Sequence, residues 1–82
     1  MSNRKKLASC LRDYETMLRV YEENIRVCDV LSQNAAKEAA RLVVSNIRAI
    51  KRFAMDISVL TSEECYGMTT RELVEKIEAE PD

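Results

Sequence analysis

Residues 4–31 read RKKLASCLRDYETMLRVYEENIRVCDVL, and residues 35–60 read AAKEAARLVVSNIRAIKRFAMDISVL. In both stretches apolar side chains recur at alternating intervals of four and three residues, which is the heptad spacing of helices that pack against other helices. The first set is Leu7, Leu11, Tyr14, Leu18, Tyr21, Ile25 and Cys28. The second set is Ala36, Ala40, Val43, Ile47, Ile50, Ala54 and Ile57. The pattern predicts two long amphipathic helices, over residues 4–31 and 35–60.

The segment Ser32-Gln33-Asn34 separates the two apolar stripes. It is uncharged and polar, and the second stripe is one residue out of phase with the first. This predicts a turn between two antiparallel helices of similar length, with Ser32 or Asn34 as the N-cap of the second helix. A single unbroken helix is the alternative, because neither glycine nor proline interrupts the chain here.

The last twenty-odd residues carry two capping-box spacings, in which a threonine is followed three residues later by a glutamate. Thr61 and Glu64 predict a short helical turn that ends at Gly67. Thr69 and Glu72 predict a further short helix over residues 70–80, which stops before the proline at position 81.

Together these elements predict one all-α domain over residues 1–82, built as an antiparallel helical hairpin plus a short C-terminal helix. One glycine and one proline in 82 residues leave too few turn residues for an all-β fold. Two long helices cannot enclose a core alone, and residues 53–60 are apolar on every side of the helix. We therefore expect a helical-bundle homodimer of four long helices with two short ones outside. A monomeric three-helix bundle is the alternative.

The composition argues against an enzyme. The chain has no histidine, its single glycine precludes a glycine-rich phosphate loop, and its three cysteines form no C-x-x-C pair. We expect no catalytic residues, no cofactor, no metal and no small-molecule substrate. The cysteine pattern also indicates a reducing, cytoplasmic compartment, and no apolar run approaches the ~18 residues that would predict a membrane span.

Charge is unevenly distributed along the chain. The net charge is −1, but residues 34–60 carry +3 and residues 61–82 carry −5. On a helical projection the basic residues of the second helix share an arc that points away from its apolar stripe, and one valine lies beside that arc. The candidate partner-binding residues are Lys37, Arg41, Val44, Arg48, Lys51 and Arg52. The alternative is a solvated helix face whose charge is balanced by the acidic third helix.

These features favour a non-enzymatic interaction module, such as an adaptor, a chaperone-like partner or an inhibitor. Arginines mixed with exposed aliphatic side chains are typical of protein interfaces, so a protein partner is favoured over nucleic acid. The alternative function is a nucleic-acid-binding dimer that uses the basic strip. The acidic third helix is a second candidate contact surface.

Asn24 and Asn46 flank the two apolar stripes. A buried asparagine at this position would specify the register of the helices, and the alternative is that both asparagines lie in water at the rim.

Overall fold

The computed structural model describes residues 2–27 and 29–81, and all regular secondary structure in this part of the chain is α-helical. The helices are α1 (Asn3–Val27), α2 (Val30–Asp56), α3 (Ser62–Tyr66) and α4 (Thr70–Glu78). The all-α class is therefore confirmed. Cys28, the last member of the first stripe, lies outside the described residues. None of the described helices combines the length and the apolar character that crossing a bilayer requires.

The break between α1 and α2 lies earlier in the chain than Ser32–Asn34. Asp29 is the N-cap of α2, with an extended backbone (φ −68°, ψ 174°), and its carboxylate accepts a hydrogen bond from the Ser32 amide at 2.9 Å. This hydrogen bond holds the pKa of Asp29 below its ordinary value. Aspartate is as good an N-cap as serine or asparagine, so the predicted caps fall inside the helix that Asp29 begins. The extended residue between the helices also contradicts a single unbroken helix.

The other end of α2 lies at Asp56, four residues before the predicted end. Ser58 has a positive φ of 66°, and the amides of Val59 and Leu60 both donate to the carbonyl of Ala54. This turn directs Leu60 into the core, where it is buried. Phe53, in the last turn of α2, is 64% exposed. Within a single chain part of the apolar surface of residues 53–60 is therefore uncovered, and the further cover expected from a second chain stays a prediction.

Both predicted capping boxes are confirmed, at the N-termini of α3 and α4. The hydroxyls of Thr61 and Thr69 each accept from the backbone amide three residues on, at 3.1 Å. The glutamate in each box returns a bond to the threonine amide. Gly67 ends α3 at a negative φ, so its role is steric: a Cβ there would lie 2.9 Å from the Glu63 carbonyl oxygen.

One hydrophobic cluster joins the three longer helices. Its buried members are Ala8, Leu11, Val43, Ile47, Ala54, Leu60, Leu73, Val74 and Ile77. Leu7 lines a cleft with Ala54, and Tyr21 lines one with Ala36, so the start of α1 lies beside the end of α2 and its end beside the start of α2. The short helix α4 packs mainly against α1. Two of the three largest wholly buried side chains belong to α4, so this helix completes the core.

Candidate protein-binding groove

A groove of about 540 Å³ runs between α1 and α2 and gathers most of the predicted site residues. It is lined by Leu18, Glu22, Ile25, Lys37, Ala40, Arg41, Val44, Ser45 and Arg48. Four of the six candidate partner-binding residues are in this set, and they come from three successive turns of α2. The sequence pattern placed them on one helix, and the structure adds a second wall from α1.

The groove has an apolar floor and a basic wall. Leu18 and Ile25 of α1 and Ala40 and Val44 of α2 are half-buried, since each is partly covered by the facing helix. The cationic side chains along α2 are Lys37, Arg41 and Arg48, and all three are exposed. This combination offers apolar contact along the centre and positive charge along one side.

The charges of the groove are only partly neutralised. Arg41 pairs with Glu38 of its own helix at 3.1 Å, an exposed pair that contributes little to stability. Lys37 and Arg48 make no ion pair within the described residues. Glu22, on α1, is the one acidic side chain among the lining residues. The groove therefore carries an excess of positive charge available to a ligand.

Lys51 does not belong to the exposed basic strip, which corrects its placement on the outward arc. It is only 9% exposed, and its Nζ donates to the Met68 carbonyl oxygen at 3.4 Å. Lys51 follows Ile47 by four residues, so it lies on the margin of the buried stripe, where the segment before α4 covers it. Arg52 is exposed as expected but lies outside the groove lining, nearer the end of α2.

The acidic C-terminal segment neutralises α1 rather than α2. Glu78 pairs with Arg12, and Glu80 pairs with Arg4 at 2.7 Å. Glu72 is the reciprocal partner in the capping box of α4. The alternative in which these acids balance the basic face of α2 therefore has no direct ion pair to support it among the described residues. It also follows that much of the second candidate surface, the acidic helix, is engaged within the chain.

Arg4 is the centre of a partly buried ionic network that sequence reasoning missed. Its guanidinium donates to both carboxylate oxygens of Glu64, at 2.9 and 2.7 Å, and also to Glu80 and to the Val59 carbonyl. Lys76 adds a further bond to Glu64 at 2.8 Å. The capping-box spacing identifies Glu64 in the sequence, but no local signal connects it to an arginine 60 residues earlier.

The network shifts the pKa of each of its main members. The hydrogen bonds from Arg4 hold the pKa of Glu64 well below its usual range, and those from Lys76 and from the Thr61 amide lower it further, against the opposing effect of burial. Arg4 also lowers the pKa of Glu80, and the two carboxylates raise the pKa of the Arg4 guanidinium. The network thus fixes the start of α1 to α3 and to the end of α4, at the opposite end of α1 from the groove.

The described residues were also compared with the requirements of a metal site. No group of three or more cysteine, aspartate or glutamate side chains in residues 2–27 and 29–81 is placed to hold a metal ion.

Comparison with protein-family models, with curated proteins and with solved structures finds no match in any of the three. The geometry of the groove is therefore the basis for a functional assignment.

Proposed function

We propose that this chain is a non-enzymatic helical interaction module that binds an acidic, amphipathic helical segment of a partner protein. The observation that carries the proposal is the groove between α1 and α2, whose apolar floor is flanked by Lys37, Arg41 and Arg48. An amphipathic helix laid in an apolar groove is a recurring mode of peptide recognition. The positive charge along α2 favours a ligand helix with acidic residues on the side that faces α2.

The chain itself contains a helix of this chemistry. In α4 the apolar side chains Leu73, Val74 and Ile77 are buried, while Glu78 at its end and Glu80 just beyond it pair with arginines of α1. Arg19 and Arg71 line a cleft between α1 and α4, and the neighbouring Leu18 lines the groove. Consecutive residues of α1 therefore line the cleft beside α4 and the groove, and the groove offers an external helix a similar combination of apolar and basic side chains.

The size of the groove suits a short helical segment. Its α2 wall extends from Lys37 to Arg48, which is about 16 Å at 1.5 Å per residue, or roughly three helical turns. Three turns present three or four apolar side chains on one side of a ligand helix. Such an interface is small, and we expect weak, reversible binding that depends on salt concentration.

The experiment is affinity capture from native lysate at low salt, comparing the unaltered chain with two variants. Val44→Asp places a charge on the groove floor, and the double variant Arg41→Glu with Arg48→Glu reverses its wall. We expect each to weaken capture of a stoichiometric protein at least about 10-fold, because the floor loses apolar contact and the wall repels an acidic ligand. Arg26→Glu, an exposed arginine of α1 outside the groove lining, is the matched control and should retain the partner.

Circular dichroism accompanies each variant, because a loss of helicity would mean that Val44 acts in the core instead. Unchanged capture by both folded groove variants would refute the proposal. Nuclease treatment provides the test of the alternative, a nucleic-acid-binding dimer that uses Lys37, Arg41, Arg48 and Arg52. A high 260/280 nm absorbance ratio that falls on nuclease treatment would favour that alternative.

Two further properties complete the proposal. The chain self-associates as a homodimer of antiparallel helical hairpins, since its monomeric core is small for a chain of this length. Its compartment is the reducing cytoplasm, as the unpaired cysteine pattern indicates. Self-association and this compartment both fit a regulatory or adaptor protein whose dimer presents two basic grooves.

A further inference from the structure

The side of α2 that points away from the basic groove carries a second heptad row, which we call the uncharged row. It consists of Ala35, Ala39, Leu42, Asn46, Ala49 and Phe53, together with Ile57 at the C-cap of α2. Successive members are separated by four, three, four, three, four and four residues, so they share one side of the helix. Leu42 and Phe53 are 67% and 64% exposed, which is unusual for two large apolar side chains in one row.

The neighbouring edge of α1 extends this surface. Leu7 and Lys6 line a cleft of about 620 Å³ with Ala49 and Phe53. Further along, Tyr21 and Asn24 line a second cleft with Ala35 and Ala39. Lys6 is the one charged side chain that lines either cleft. The uncharged row is therefore flanked at both of its ends by a cleft with little charge.

The order of side-chain sizes in the row fits an antiparallel copy of itself. Asn46 is the midpoint between Ala35 and Ile57. A twofold axis through Asn46 places Ala35 opposite Ile57 of the second copy, and Ala39 opposite Phe53. The same axis brings Leu42 within one residue, about 1.5 Å along the helix, of the position opposite Ala49. Every such pair joins a small side chain to a large one, which is the arrangement that lets two helices pack closely without voids.

The charge and size of the surface also suit a second copy of this chain. Because Lys6 is the one charged side chain that lines its two clefts, the surface meets little like-charge repulsion against itself and offers little to a charged partner. From Ala35 to Ile57 the row is about 33 Å long, and two adjacent helices are roughly 20 Å wide. The footprint is therefore roughly 700 Å² per chain, close to the roughly 800 Å² per partner of a standard interface.

The monomer is elongated, as one half of a side-by-side dimer would be. Its radius of gyration is 14.3 Å and its extents are 44 × 22 × 20 Å. A compact domain of this length has a radius of gyration of about 12 Å. Pairing two such rods side by side gives a four-helix arrangement with the uncharged rows inside and the basic grooves outside.

We propose that two copies of the chain associate through their uncharged rows, with α2 antiparallel to α2 of the second copy and Asn46 at the twofold axis. There the two Asn46 amides face each other and can exchange hydrogen bonds, which sets the register because a slip would bury each amide against apolar side chains. This inference rests on the self-association proposed above, and it names the surface and the register. It does not depend on the ligand of the groove.

The experiment is sedimentation equilibrium of the full chain between about 1 and 100 µM, with a size-swap series at two exposed positions. Leu42→Ala places two small side chains opposite each other and leaves a cavity, and Ala49→Leu places two large side chains opposite each other, where they overlap. Each substitution should raise the dimer Kd at least about 10-fold. The double variant Leu42→Ala with Ala49→Leu restores every large-to-small pair and should recover most of the affinity. Leu42→Glu should give a monomer at all these concentrations, while Val20→Glu, an equivalent change on an exposed part of α1, should remain dimeric.

A second measurement needs no substitution. On dilution, amide NMR signals of the uncharged row should shift while those of Arg41 and Arg48 stay constant. A monomer of 9.4 kDa at 100 µM would refute self-association as a whole. A dimer whose dilution shifts map to the basic groove, or whose affinity is not recovered by the size swap, would refute this surface and register but leave self-association standing.

Discussion

Arg4 and Glu64 show how one pair of side chains can connect three helices. Glu64 is 3% exposed at its side chain, and it uses its two oxygens to cap α3, to accept two bonds from Arg4 and to accept one from Lys76. A buried carboxylate needs this many partners, because an unpaired one is costly in a medium of low dielectric constant. The pair therefore stabilises the fold only as a complete network.

The depressed pKa of Glu64 predicts a pH dependence of stability with a definite sign. Its pKa in the folded chain lies below the ordinary value of about 4.3 in the unfolded chain. The stabilisation is therefore fully present above about pH 5 and is lost as the pH falls through the unfolded and then the folded pKa. Urea unfolding followed from pH 7 to pH 2 should show the free energy of unfolding declining across this acid range.

Glu64→Gln should remove most of that acid decline and lower the free energy of unfolding at pH 7 by about 1–3 kcal/mol, because Arg4 and Lys76 lose a charged acceptor. Glu63→Gln changes the adjacent exposed glutamate and is the matched control. If both variants showed the same acid decline as the unaltered chain, Glu64 would not be its source.

At the scale of elements, α4 is a nine-residue helix that is too short to be stable alone in water. Besides its ion pairs with α1 and α3, two features hold it in place. Its capping box satisfies amides of the first turn, and its apolar side chains insert into the core beside Leu11. The local signal starts the helix at the right residue, and tertiary packing supplies the stability that a helix of this length lacks.

Thr69→Ala should lower the free energy of unfolding by about 1 kcal/mol, because the amide of Glu72 loses its hydroxyl acceptor. Thr70→Ala alters the next residue, which is the first residue of the helix rather than its N-cap, and should have a smaller effect. Chemical denaturation of the two variants side by side measures the difference. Equal losses would mean that the capping box contributes nothing specific.

At the scale of the whole molecule, the core is one cluster shared by α1, α2 and α4, and few large side chains are completely buried. A core of this size leaves only a small margin of stability. The stability of every helix then depends on the others, and a destabilising substitution in one helix should lower the free energy of unfolding of the whole chain.

Ile77→Val, which removes one methylene from a wholly buried side chain of α4, should lower the free energy of unfolding by about 1 kcal/mol. The loss should appear in one cooperative transition. Helicity by circular dichroism, which reports mainly on α1 and α2, should fall at the same denaturant concentration at which the fluorescence of the three tyrosines changes. A separate early transition for α4 would show that it docks independently of the hairpin core.

Much of the fold could be predicted because its signals are local. A period near 3.5 residues identifies a helix, and a threonine three residues before a glutamate marks its start, since both effects operate within one turn of the chain. For the same reason four of the groove residues, Lys37, Arg41, Val44 and Arg48, were recognisable as neighbours on one exposed side of α2. The limits of α2 were predicted less well, because Asp29 and the turn at Ser58 carry weak signals.

The remaining features depended on contacts between residues far apart in the chain. Lys51 is buried because the segment at Met68 crosses it, and Arg4 finds its partners 60 and 76 residues away. The facing wall of the groove, with Leu18 and Ile25, exists only once α1 lies against α2. Periodicity states which side of a helix is apolar, but packing decides which part of that side is covered, since coverage depends on where the other helices end and turn. That is why the sequence shows that Phe53 lies in a segment that is apolar on every side, and only the tertiary structure shows that its side chain is exposed within the single chain.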